Sequence, residues 1–184
     1  MIRTISSTAI LVITCLVAGY AACAEHTIKL ESPAVKAGER IPKDYTADGK
    51  DVSLPLKWSG APEGVKEFAL IFDDPDAPTP KPWVHWVLYN IPSAAGELPE
   101  GLSADEVLKQ PAPLEGATHG LNGWRKPGNR GPAPPPGKDH HYTYTLYALD
   151  ADLDLKPGLT KDQLLEAMKD HVLATGQFVA IYSR

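Results

Sequence analysis

The sequence predicts a mainly β, turn-rich single domain. Three observations carry that expectation. The 184 residues include eighteen prolines and fifteen glycines, the apolar residues fall in short runs bounded by turn formers, and only one segment carries a full set of helix signals.

Taken in order, residues 27–30 and 54–58 alternate apolar and polar and read as strands. Ala47-Asp48-Gly49 separates them, and Ser59-Gly60-Ala61-Pro62 closes the second. A third run covers 67–72. The runs at 83–91 and 142–149 are nearly continuous in apolar and aromatic residues, the pattern of central strands covered on both faces. A last strand is expected over 177–182. The helix starts at Thr160, where Gln163 three residues on completes a capping box, and Leu164, Leu165, Met168 and Val172 form its apolar stripe. A second, shorter helix is expected from Ser103, with Glu106 at the third position and Val107 and Leu108 following. The Pro/Gly-rich stretch 110–138 is longer than an ordinary connection, and loops of that length in a small domain tend to be functional.

At 43% hydrophobic and 22% charged residues, the chain has enough apolar material for one domain core. The formal charge of −5 argues against nucleic acid as a partner. Residues 1–24 read as a signal peptide: Arg3, the apolar run 9–18, then Ala22-Cys23-Ala24 at a cleavage site. The domain then covers 25–184, and an exported, periplasmic or secreted location is expected. Lipidation of Cys23 is the alternative, with Tyr20 an atypical residue for such a site. Both cysteines, Cys15 and Cys23, lie in this segment, which leaves 25–184 without thiol catalysis, thiolate metal sites or disulfides.

Chemistry concentrates in two places. Asp73-Asp74-Pro75-Asp76-Ala77-Pro78 leads into Trp83-Val84-His85, and Gly131-Pro132-Ala133-Pro134-Pro135-Pro136-Gly137 leads into His140-His141-Tyr142. In both, a proline-stiffened loop delivers histidine to a strand. Imidazoles there can hydrogen-bond an anion, with a carboxylate fixing their tautomer, and proline lowers the entropy lost on binding. Asp-Pro-Asp is equally a simple turn initiator, and a histidine in an aromatic strand is often only a core residue. Two histidines and a carboxylate could hold a metal, but no compact ligand signature is present. There is no Gly-x-Ser-x-Gly elbow, and Asp74 and Asp76 are too close in sequence to flank a sugar. No catalytic residues, metal or cofactor are therefore assigned.

These residues resemble the phosphatidylethanolamine-binding proteins, also called the Raf-kinase-inhibitor-like family, in their bacterial branch. The likeness runs from Ser32-Pro33 to Arg184. It rests on Ile41-Pro42 with Tyr45-Thr46, Leu56-Lys57-Trp58-Ser59-Gly60-Ala61-Pro62, Asp74-Pro75-Asp76-Ala77-Pro78, Trp83-Val84-His85-Trp86, and the Gly-Pro loop ending in His140-His141-Tyr142. The resemblance implies a large central, mostly antiparallel β-sheet packed on a smaller sheet, with one or two peripheral helices. It also implies an anion pocket built from Asp74, Asp76, Pro78, His85, Pro132, His140 and Tyr142, with His141 on the opposite face of its strand. The implied ligands are phosphate, phosphonate or a phosphoethanolamine-like head group, and the implied role is binding without catalysis. Inhibition of a protease or kinase is the alternative, and a metal-dependent or hydrolytic activity a weaker one.

The sequence departs from the family pattern at Asp51, where Asn is usual, and at Leu54, where Pro is usual. It also lacks the Tyr commonly seen before Gly131-Pro132. Asp73, Thr79 and Lys81 read as turn and surface. Arg125, Lys126 and Arg130 could bring positive charge to the rim, or be only solvated surface.

Overall fold

The computed structural model describes residues 27–184; the expected signal peptide, Cys15 and Cys23 lie outside the described residues. The strands are β1 (Lys29–Glu31), β2 (Leu56–Ser59), β3 (Glu67–Asp74), β4 (Trp83–Pro92), β5 (Glu97–Leu98), β6 (Thr118–His119), β7 (His140–Leu149) and β8 (Val172–Tyr182), with one α-helix, α1 (Lys161–Ala167), before β8. They form a five-stranded sheet in the order β6-β4-β3-β7-β8 and a three-stranded sheet in the order β1-β2-β5, both antiparallel.

Side-chain alternation divides the core into two layers. Phe68, Leu70 and Phe72 of β3, Tyr142, Tyr144 and Leu146 of β7, and Trp86 and Leu88 of β4 pack toward the small sheet, where Leu30, Leu56 and Trp58 meet them. Ala69, Ile71, Val87 and Tyr89 face the other way, against Leu164 and Met168. β3 is buried at all eight positions because it has strands on both edges and a layer on each face.

The helix begins as the sequence indicates: the Thr160 hydroxyl accepts from the Gln163 backbone N–H, and the Gln163 side chain accepts from the Thr160 N–H. It ends at Ala167, and Val172 is the exposed first residue of β8 instead of a fourth apolar helix position. The expected helix at Ser103 does not form. That segment runs extended, the Glu106 carbonyl accepting from the His119 N–H and Val107 bridging Thr118. Pairing with β6 satisfies backbone groups that a lone short helix would have to satisfy internally.

β4 carries the irregularity that matters most. Across β3 and β4, Phe72 pairs with Trp86 and Asp73 with Val84, so His85 is the extra residue of a β-bulge. Strict alternation would place His85 beside Val87 and Tyr89 on the helix side. The bulge turns it onto the face of Phe72 and Tyr142, whose rings lie 5.0 and 5.4 Å from the imidazole.

Candidate functional site

Asp74 at the end of β3, His85 in the bulge, and His140 and Tyr142 at the start of β7 meet at one edge of the large sheet, all four nearly fully buried. With Pro78 they line a cavity of about 160 Å³. That volume lies below the roughly 300 Å³ at which drug-sized pockets begin, and suits a head group better than an acyl chain.

Two of the seven expected residues point elsewhere. The Asp76 carboxylate accepts from both the backbone N–H and the Nδ1 of His141, at 2.8 and 2.7 Å, on the outer face of β7. These bonds keep its carboxyl below the ordinary range. Pro132 is not among the lining residues; its carbonyl accepts from the Ala47 N–H, while Ala133, Pro134 and Pro135 supply that wall. Thr79, read from the sequence as turn, lines the cavity. Asp73, read the same way, is buried and paired with Lys161 on the helix side. Lys81 is on the surface, paired with Asp162.

Two indoles that no motif singles out as site residues, Trp83 and Trp124, wall the cavity. Their rings meet edge to face at 5.3 Å, and Trp124 meets His85 at the same distance. A compact turn holds Trp124 in place: the Asn122 side-chain oxygen accepts from the Trp124 and Lys126 N–H groups, and its amide donates to the Gly128 carbonyl. Asn followed by Gly marks such a turn, but only the fold shows where it lands. The Arg130 guanidinium lies 4.9 Å from the Trp124 ring centre.

Hydrogen bonding fixes both imidazoles. His85 Nδ1 lies 2.6 Å from the Arg130 carbonyl oxygen, which can only accept, so Nδ1 carries a proton. Burial lowers the pKa of His85 below its usual value, partly opposed by that hydrogen bond and by the charge of Asp74. The neutral ring therefore presents a bare Nε2 lone pair. His140 Nδ1 donates to Asp74 Oδ2 at 2.7 Å, so its Nε2 is an acceptor as well whenever the ring is neutral. Burial, with Asp74 beside it, pushes the Tyr142 hydroxyl well above its ordinary pKa and keeps it protonated. Arg130 is itself positioned by its neighbour: Gly131 N–H donates to Asp51 at 2.6 Å, where the carboxylate makes a stronger acceptor than the amide usual there.

The site thus combines a fixed hydroxyl with two imidazoles that accept when neutral and donate when protonated. No group of three or more His, Cys, Asp or Glu side chains suited to holding a metal occurs among the described residues.

The family model described as phosphatidylethanolamine-binding protein matches residues 31–183. A UPF0098 protein of Methanothermobacter thermautotrophicus is 43% identical over 158 residues, covering 85% of this chain and 99% of that protein. The crystal structure of a putative phosphatidylethanolamine-binding protein homologue from Chlamydia trachomatis aligns with a TM-score of 0.76 at 35% identity, over 86% of this chain and 99% of that one. That of E. coli YbcL, described as a new member of the mammalian family, aligns with a TM-score of 0.78 at 30% identity, over 85% and 98%. Such kinship supports the binding of a ligand or a protein in general terms. With the two-sheet fold and nearly the full length of the described chain matched, the chain belongs to the phosphatidylethanolamine-binding protein family.

Proposed function

We propose that the protein is a non-catalytic binding protein, acting after export, that takes a small phosphoryl-like anion into the cavity of His85, His140 and Tyr142. The observation that carries this is the pair of buried imidazoles with both Nδ1 atoms committed and the cavity lined by both rings. Neutral, they accept a proton from a hydrogen phosphate; protonated, they donate to a fully ionised group. Asp74 sets the tautomer of His140, and Tyr142 supplies a hydroxyl. Support for export comes from the pattern of residues 1–24.

Titration with phosphate, a phosphonate and phosphoethanolamine, followed by backbone NMR, tests this. Shifts centred on 74–78, 85 and 140–142 are expected. No shift there at millimolar ligand refutes it, and turnover of a phosphate ester or a stoichiometric zinc or iron in untagged protein would replace it with an enzyme. A protein target is the second reading, favoured by the exposure of Trp124 at the cavity rim.

A further inference from the structure

The histidine cavity continues past Trp83. Thr79 and Trp83 line both that cavity and a shallow apolar stretch that includes Pro80, Pro82 and Gly123. Lys81, Pro82, Val84 and Gly123 then carry the stretch into a third hollow of about 270 Å³, bounded by Arg125 and Lys161 and holding no imidazole. Shared walls make the three one trough. Its middle depends on Gly123: a Cβ there would lie 2.6 Å from Trp83 Cε2 and displace the indole.

Lys81, Arg125 and Lys161 line the trough with two acids, Asp74 and Asp162, both already engaged, by His140 and by Lys81. Among the described residues, Lys81 is tied to Asp162 and Lys161 to Asp73, whereas Arg125, and Lys126 next to it in sequence, are in no ion pair. Asp76 and Asp139 are engaged as well, with His141 and with Arg40. Trp124, directly before Arg125 and Lys126, is 38% exposed.

We infer that this trough docks an extended, acidic, proline-tolerant segment of a partner protein, laid across Pro80, Pro82 and Trp83 with its carboxylates toward Arg125 and Lys126. An elongated concave path suits a single extended chain and not a flat bilayer. Aromatic and proline walls are what polyproline-type segments bind, and the unpaired cations select an acidic one. The site goes beyond the anion pocket and stands without it, since the chain contacts lie on the far side of Trp83.

The probe is a synthetic Glu-Pro repeat peptide, with a Lys-Pro repeat as charge control and phosphatidylcholine vesicles containing phosphatidylglycerol as the flat anionic alternative. Trp58 and Trp86 are buried, so changes in tryptophan emission report mainly on Trp83 and Trp124. The Glu-Pro peptide is expected to bind with salt-sensitive affinity and to shift amide resonances at 79–84 and 123–126. The double variant Arg125→Glu, Lys126→Glu should lose about tenfold in affinity while inorganic phosphate still shifts His85 and His140 as in the parent. Equal peptide binding by parent and variant, absence of peptide binding, shifts elsewhere on the surface, or binding to the vesicles alone each overturns the inference. Loss of the phosphate response with peptide binding intact would count against the anion pocket only.

Discussion

Asp74→Asn should invert the hydrogen-bonding polarity of His140. In the parent, Asp74 Oδ1 accepts from the Asp76 N–H at 2.9 Å and Oδ2 accepts from His140 Nδ1 at 2.7 Å. Asparagine has one oxygen for these two donors. If that oxygen stays with the Asp76 N–H, the amide NH₂ faces His140 Nδ1, which must then accept, and the ring proton moves to Nε2 inside the cavity. The opposite flip sets the NH₂ against the Asp76 N–H, donor to donor. The cost in stability is about 1–3 kcal/mol, that of disturbing a buried charge-assisted bond.

Binding changes in the opposite direction. Sulfate, a dianion without a proton to give, needs each neutral imidazole it touches to take up a proton. Above the imidazole range its affinity falls by up to about one decade per pH unit for each such ring. The variant's His140 already donates from Nε2, so the slope should become shallower by up to about one decade per pH unit. Removing the Asp74 charge adds a gain of roughly 1–4 kcal/mol for an anion about 4 Å away, depending on the local dielectric. Calorimetric titration of sulfate between about pH 6 and 8.5 measures the slope, and ¹⁵N shifts of the ring assign the tautomer. An unchanged slope with His140 still protonated at Nδ1 refutes the reasoning.

Glu67 is buried at the start of β3 with Oε1 unpartnered, and burial raises its pKa to about 7. The folded state therefore holds this proton more tightly than the unfolded chain, so its contribution to stability is full below about pH 4.5 and is lost as pH rises to about 7. Glu67→Gln should raise stability at pH 8 by roughly 2 kcal/mol and flatten the melting temperature over that range; an equal fall with pH in the variant would exclude Glu67 as the source. Asp76→Asn, which disturbs only the outer contact with His141, should leave phosphate affinity within about twofold while costing up to about 1 kcal/mol in chemical denaturation; a larger binding loss would return Asp76 to the pocket. Gly123→Ala forces the added methyl against the Trp83 ring, so it should cost about 1–3 kcal/mol and weaken phosphate binding, with altered tryptophan emission as the direct readout.

The sequence was most legible where periodicity and chemistry coincided. All six expected strands exist, and Thr160 and Gln163 marked the helix start within one residue. β5 and β6, at two residues each, were too short to leave a periodic signal. The two aromatic runs form the interior strands β4 and β7 on either side of β3, which is the strand buried at every position. Asp74, His85, His140 and Tyr142 come together through the β3–β4 hairpin and one long-range pairing, β3 with β7, and the motif order pointed to them. Asp76 could not be separated from Asp74, since that depends on how the turn meets His141. The Trp124 turn is placed where Gly123 N–H donates to the Val84 carbonyl, and Asp51 accepts from Gly131 eighty residues away, contacts that local sequence does not express.

The bond between His85 and residue 130 links acid–base chemistry to the path of the main chain. The ring donates to the carbonyl of residue 130, and the N–H of residue 130 donates back to the His85 carbonyl at 3.1 Å. Neither bond involves the arginine side chain, so many residues at 130 would preserve the tautomer, although proline would remove the return donor. The constraint passes instead to Gly131, where a Cβ would meet the Tyr45 carbonyl oxygen at 2.5 Å. His85 is therefore a reporter of loop closure. With residues 128–131 in place its Nε2 is committed to accepting when neutral, and with the loop displaced the ring is free to exchange tautomers.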